Sequence, residues 1–379
     1  MPEFEPSFAT SLADDVYNIE TDFQREAFAD KYKKDFDMPS GKPAIKGVTG
    51  ASFIKKKSVM GVAALGKGRF ENDAVVALRG TASLFDALTD LNAGVKVSHT
   101  GSYIHQGFFD SFDTLLPEIR DFLGTYKGTG IVHCVGHSLG GALATLAADW
   151  IGLNTAATVK LYTFGSPRVG LDFFAQKTTT SIGVENIYRA FHQTDPVPMV
   201  PTWPFFHVPN NNSDYPLVSS VEVPPWKYHF MLHYSESVAG KSWKTIKSKR
   251  PAGQVEEAAE QWLRSDGFVS LTSNTIELLN AALMWVLIKI VNLAGIVLVG
   301  GFATTFTLLD RLAYILHKAI DFSQDLSFWV FRLVMKITQA LGMVTVKAEN
   351  MTTAFIRMVF VRLHNTIREY IQKVSRQLF

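Results

Sequence analysis

The stretch that most limits what this chain can become runs from Val132 to Ala144 and reads VHCVGHSLGGALA. Ile131 to Val135 predict a short apolar strand, Gly136-His137-Ser138-Leu139-Gly140 a sharp turn, and the Ala/Leu run that follows a helix. A serine at such a turn has its hydroxyl pushed outward, and a glycine two residues to either side lets strand and helix approach closely. Ser138 is therefore the candidate nucleophile. The first amide of the helix, on Leu139, would face a carbonyl oxygen as it turns negative, and the helix N-terminus adds a favourable field there. A plain strand-to-helix turn with a capping serine fits the same letters, so the rest of the chain has to decide.

Around this turn, strands and helices alternate. Ile45 to Phe53, Ser58 to Leu65, Asp73 to Leu78, Val159 to Phe164 and Val184 to Phe191 read as strands. Leu12, Val16, Ile19, Phe23 and Phe28 keep one helical rhythm, as do Leu115, Leu116 and Ile119 within Phe112 to Phe122. Such alternation predicts an α/β fold with a largely parallel sheet, in which functional groups gather beyond the strand C-termini. Asp195 would lie there, its direction fixed by Pro196 and Pro198.

A serine hydroxyl needs an imidazole to take its proton, and the imidazole needs a carboxylate to hold its tautomer. In the order Ser, Asp, His the base comes from His207, His229 or His233, and spacing alone does not choose between the last two. The turn at Leu78-Arg79-Gly80-Thr81 could supply a second oxyanion donor. The short amphipathic segment after it, with Leu84, Phe85 and Leu88, reads equally as a movable cover or as a surface helix.

Bulk properties remove other classes. A net charge of +2 with 19% charged residues carries no nucleic-acid signature. The one cysteine, Cys134, excludes an internal disulfide framework and a multi-cysteine metal site, and no cluster calls for a metal or cofactor. Acidic residues stand near the N-terminus where a signal peptide would carry basic ones, so no cleaved export signal is expected.

Five motifs in order resemble the class 3 lipases, the family of fungal triacylglycerol lipases and of many bacterial and plant phospholipases A1. They are Ala77 to Thr81 with Asp86 and Asp90-Leu91, His105-Gln106-Gly107-Phe108, Gly136 to Ala144, Tyr162 to Gly170, and Asp195-Pro196-Val197-Pro198. The likeness spans about Phe8 to Ala239 and implies an α/β-hydrolase fold. It implies Ser138 as nucleophile, Asp195 as orienting acid, the amides of Thr81 and Leu139 as the oxyanion hole, and Ala82 to Asn92 as a lid bearing Leu84, Phe85 and Leu88. Bacterial members often carry His-x-Met-x-x-Tyr, which His229, Met231 and Tyr234 fit. The base implied is His229, with His233 as the alternative, while His105, His137 and Arg168 take structural roles.

From Thr275 the composition changes. Ile290 to Leu309 holds no charged residue, and twenty such residues in a helix just cross a hydrocarbon core. Leu312 to Leu341 and Thr352 to Leu378 keep helical spacing beside Arg and Lys, as basic amphipathic helices on an anionic bilayer would. The expected organisation is a hydrolase domain over residues 1–245, a linker over 246–270 and a helical membrane-binding region over 271–379. Together these readings predict a serine ester hydrolase acting on a glycerophospholipid or acylglycerol at a lipid bilayer, with no nucleic-acid partner. A membrane enzyme with no cleavable signal peptide would suit an effector exported by a specialised secretion machine, met by an immunity or chaperone protein. The rivals are a pore-forming protein that acts through its tail, and a small-ester esterase or peptidase.

Overall fold

The computed structural model describes residues 3–38, 44–49, 56–81, 94–126, 130–202, 204–210, 213–220, 223–247, 255–267, 269–294, 308–343, 347 and 350–378. The described chain divides into two compact units, one of residues 1–250 with 371–379 and the other of residues 251–370.

In the first unit, the eight described strands of the main sheet run in the order β1-β3-β4-β7-β8-β9-β10, with β2 also paired to β3. These are β1 (Phe36–Asp37), β2 (Ala44–Thr49), β3 (Lys56–Gly66), β4 (Ala74–Leu78), β7 (Ile131–His137), β8 (Thr158–Phe164), β9 (Ile187–His192) and β10 (Tyr215–Leu217), while β5 (Val95–Val97) and β6 (Tyr103–His105) form a separate ribbon. The β1, β2 and β4 contacts with β3 are antiparallel, and from β4 to β10 every neighbouring pair is parallel. This is the mixed, mainly parallel sheet of an α/β-hydrolase.

Register decides where the site lies. Gly136 stands opposite Leu78 on one side and Thr163 on the other, and Leu217 stands opposite His192, so the C-terminal ends of β4, β7, β8, β9 and β10 share one edge. Ser138 and Asp195 both follow strands at that edge.

The longer helices of this unit are α1 (Pro6–Asp15), α2 (Asp22–Tyr32), α3 (Gln106–Thr125), α4 (Leu139–Asn154), α5 (Asp172–Ile182) and α6 (Met231–Val238), followed by a single turn at Trp243–Ile246. The single N-terminal helical rhythm expected from Leu12 to Phe28 is in fact broken. Val16 caps α1, and Thr21 opens α2 through a capping box with Gln24, which leaves Phe23 79% exposed. Apolar spacing alone did not reveal the break, because the capping box that opens α2 acts through the polar side chains of Thr21 and Gln24.

Phe4 is the plug of this end of the core. Its ring stacks 3.8 Å from His133, lies 4.9 Å from Phe70 and 5.2 Å from Tyr162, and its amide donates to the Tyr162 hydroxyl at 3.0 Å. Below it, Asp73 accepts from the Ile131 amide at 2.7 Å and meets His133 Nε2 at 3.3 Å, which partners a carboxylate that is only 4% exposed.

The second unit is helical: α7 (Val255–Arg264), α8 (Ser273–Ala294), α9 (Leu308–Phe322), α10 (Gln324–Ala340) and α11 (Thr353–Leu378), the last of which ends beyond it. The long rhythm expected through Leu312 to Leu341 splits at Ser323, whose hydroxyl accepts from the Leu326 amide and starts α10. Trp285 and Trp329 meet edge to face at 4.5 Å in its interior. Arg332 and Lys336 of α10 cap the end of α7 by donating to the carbonyls of Leu263 and Ser265.

The uncharged run expected to span a membrane falls largely on residues 295–307, outside the described residues. Among those described, Asn274–Leu293 of α8 is long and apolar enough to cross a bilayer by length and composition, with mean hydropathy 1.7 and 44% of the window buried.

Replacing Phe4 by Ala is expected to destabilise the first unit by about 3 to 5 kcal/mol. Urea unfolding followed by tryptophan fluorescence checks this, and a loss below about 1 kcal/mol would mean that the plug packs far more loosely than its complete burial indicates.

Candidate active site

Ser138 has φ +57° and ψ −131°, a backbone state that residues with a side chain rarely adopt. Its neighbours explain why the chain tolerates it. A Cβ at position 136 would lie 2.2 Å from the Gly140 carbonyl oxygen, and one at position 140 would lie 2.2 Å from that of Leu78. Only glycine fits at both, so α4 can start directly against the end of β4 and the serine is forced up between them. The Ser138 amide donates to the Phe164 carbonyl at 2.9 Å, which fixes the elbow to β8.

Three side chains that are distant in sequence meet here. The Ser138 hydroxyl lies 2.8 Å from His229 Nε2, and His229 Nδ1 lies 2.9 and 3.0 Å from the two oxygens of Asp195. All three are buried. With a carboxylate on Nδ1, the proton sits on that nitrogen and Nε2 is left to accept from the serine.

Asp195 is held from every side. Besides His229, it accepts the Tyr234 hydroxyl at 2.6 Å and the Val197 amide at 2.9 Å. A buried carboxylate with four such contacts is fixed in direction and cannot turn away. Gly165 completes the fit: at φ +57°, any Cβ there would lie 2.7 Å from both the Asp195 oxygen and the Tyr234 hydroxyl.

His137 steadies the base from behind. Its Nε2 donates to the His229 carbonyl at 2.7 Å, and its Nδ1 accepts the Tyr17 hydroxyl at 3.1 Å. Burial, helped by the nearby His229, holds the His137 imidazole well below its ordinary pKa, so it stays neutral and keeps that acceptor. The Tyr17 carbonyl in turn accepts from Arg79 at 3.2 Å, and Arg79 also meets Glu20 at 2.7 Å.

The other expected positions fall as follows. Thr81 is buried just past β4, and a Cβ on the neighbouring Gly80 would lie 2.8 Å from the Leu139 Cβ, so the Thr81 turn and the first residue of α4 are close neighbours. Leu84, Phe85 and Leu88, expected in a lid, lie outside the described residues. His229 closes a short 3-10 turn (Pro225–His229) and α6 begins only at Met231, so His229 and His233 do not share a helical face. His233 instead pairs with Glu236 at 3.2 Å. His207 is buried and donates to the Pro198 carbonyl at 2.9 Å. His105 accepts from the Gly107 amide at the start of α3, and Arg168 donates to the Met199 carbonyl at 2.6 Å. Among the described residues no group of His, Cys, Asp and Glu is arranged to hold a metal ion.

Sequence reasoning gave no role to Tyr17 or His192. Nothing local marks Tyr17, 120 residues before its partner. His192 lies under the turn that carries the base, its ring 4.6 Å from Tyr228 and 4.9 Å from Tyr234, and its place at the end of β9 was the available signal.

Residues 75–205 match the family model described as Lipase (class 3). The chain is 32% identical over 189 residues to secreted mono- and diacylglycerol lipase 1 of Fusarium solani, covering 46% of this chain and 56% of that protein. It is 27% identical over 235 residues to phospholipase A1-II 1 of Oryza sativa subsp. indica, covering 52% and 58%. Over 120 residues it is 37% identical to toxin TseL of Vibrio cholerae, covering 30% and 18%. Among solved structures, a triacylglyceride lipase of Rhizomucor miehei aligns with TM-score 0.40 at 22% identity, covering 56% and 78%. The chain spans about half the length of the first curated relative it matches. The match to the class 3 lipase model lies within the first unit and contains Ser138 and Asp195.

Burial holds His133, His137, His192 and His207 below the ordinary histidine value, His192 at about 4. The unfolded chain takes up protons near pH 6.5 while the folded one resists, so stability is full above about 6.5 and is lost as pH falls toward 4. His192 alone accounts for about 3 kcal/mol. The urea midpoint is expected to drop steadily across that window, with a shallower slope in His192→Gln; a constant midpoint would contradict the neutral assignment.

Proposed function

We propose that this protein is a carboxylic ester hydrolase that cleaves acyl esters of membrane glycerophospholipids or acylglycerols through an acyl-enzyme. The observation that carries the reading is the continuous contact from Ser138 through His229 to Asp195, at 2.8 and 2.9 Å, on a left-handed elbow.

The chemistry follows from those contacts. Ser138 Oγ attacks the acyl carbonyl carbon while His229 Nε2 takes its proton, and Asp195 steadies the imidazolium without itself becoming protonated. The carbonyl oxygen turns negative and receives the amides of Leu139 and Thr81. When the tetrahedral adduct collapses, the leaving glycerol oxygen takes the proton from His229, and the acyl group stays on Ser138 as an ester. Water then attacks that ester, giving its proton to the same nitrogen, and the released fatty acid leaves the serine restored. His229 thus acts as base, acid, base and acid in turn, which requires it to stay in place through both halves.

The region 1–245 carries this chemistry in our reading, and the helical region 271–379 holds the enzyme at a lipid bilayer. The excess of cations from residue 350 onward supports the second part. The likeness to a protein named as a toxin supports delivery as an effector, in which case an immunity protein is a partner.

Incubation of the protein with phospholipid and acylglycerol vesicles, followed by mass spectrometry, is expected to show fatty acid with lysophospholipid or partial glycerides. Ser138→Ala is expected to lower that release by at least about 1000-fold. Vesicle lysis that persists undiminished in Ser138→Ala would favour a pore formed by the tail, and cleavage confined to short soluble esters would favour an esterase. Tyr234→Phe removes one donor from the Asp195 carboxylate and is expected to lower kcat about tenfold at unchanged KM. A tenfold rise in KM at full kcat would instead place Tyr234 in substrate binding.

A further inference from the structure

Helix α11 is 26 residues long, and its two sides differ in character. Ile356, Val359, Phe360, Leu363, Ile367, Ile371 and Val374 recur at three- and four-residue steps and are all buried. The opposite side carries Arg362, Arg368, Lys373 and Arg376, all exposed, among Asn365, Glu369, Gln372 and a partly exposed Met358. From residue 350 onward the chain holds five cations and one acid, Glu369, whereas the whole protein has a net charge of only +2. Arg357, at the start, is engaged by Asp310 of α9.

This arrangement corrects an expectation. An amphipathic helix that lies in a bilayer puts its apolar face among the acyl chains. In α11 that face is already buried within the protein and is not offered to lipid. What is offered is a polar, cationic surface, which suits charge attraction and not insertion.

We propose that the outward face of α11 is an electrostatic docking surface for the headgroups of anionic phospholipids. The proposal rests on the reading above that the substrate lies in a bilayer, and it names the contact that brings the protein there. Arginine suits the task, because its planar fork of donors matches phosphate oxygens in pairs. Each cation held near a negatively charged leaflet strengthens attachment roughly fivefold. Attraction of this kind reaches about 8 Å at physiological salt and about 3 Å at 1 M, so attachment is peripheral and reversed by salt.

The test uses full-length protein carrying Ser138→Ala, so that vesicles stay intact, and measures co-sedimentation with two vesicle types. One is phosphatidylcholine alone, and the other also contains phosphatidylglycerol. Binding is expected only with phosphatidylglycerol and is expected to vanish near 1 M salt. The triple change Arg362→Gln, Arg368→Gln and Arg376→Gln is expected to weaken it roughly 100-fold with the thermal transition unchanged. The control triple Lys33→Gln, Lys34→Gln and Lys67→Gln is expected to bind normally.

Equal binding to both vesicle types, or binding that ignores salt, would overturn the proposal in favour of apolar attachment. So would a folded Arg triple variant that binds as well as its parent. Hydrolysis of phospholipid dispersed in detergent micelles, which needs no docking, separates the two readings. Its absence in the wild-type protein removes the ester hydrolase and leaves the docking result standing, whereas normal micellar hydrolysis without vesicle binding removes the docking surface alone.

Discussion

The site depends on one steric fact: Gly140 touches the carbonyl of Leu78, and Gly136 touches that of Gly140. With any side chain at either place, α4 would be pushed off the ends of β4 and β7, and Ser138 would relax out of its left-handed state. Everything reactive is measured from that contact. It brings the Thr81 turn against Leu139, and it lifts the serine oxygen to the height where an imidazole from a much later segment can reach it. The strain at Ser138 is tolerated because β4, β8 and α4 all hold the turn at once.

Around this elbow, charge is confined by complete pairing. Asp195 is a buried carboxylate, and burying such a group is costly unless hydrogen bonds replace its water. Tyr234, Val197 and His229 supply them. The neighbouring imidazoles of His137 and His192 are kept neutral by burial, so no second positive charge competes with the one that His229 would carry in the proposed reaction. The arrangement is preorganised: its dipoles already point where charge will appear, and little has to move.

How much of this could be read beforehand depended on range. The strand, elbow and helix around Ser138 are written in thirteen consecutive letters, and Asp195 is marked by the prolines that follow it, so both were visible locally. The choice between His229 and His233 was not, since their spacing fits one helix equally well. It is decided by a 3-10 turn that ends at His229, which leaves His233 to pair with Glu236. Breaks in helices were similarly hidden. Thr21 and Ser323 stop two runs that apolar spacing reads as continuous, because a cap acts through one polar oxygen and leaves the periodicity untouched. Tyr17 lay beyond sequence reasoning altogether, since its partner is a matter of folding and not of neighbourhood.

That distant tyrosine has a further meaning for how such a chain comes into being. The hydrogen-bonded circuit joins residues 17, 137, 229, 195 and 234, so its first member leaves the ribosome more than two hundred positions ahead of its last. Contacts of such sequence separation form slowly, because the chain between them must be closed first. The serine therefore meets its imidazole only once a segment 91 residues further along the chain has been made.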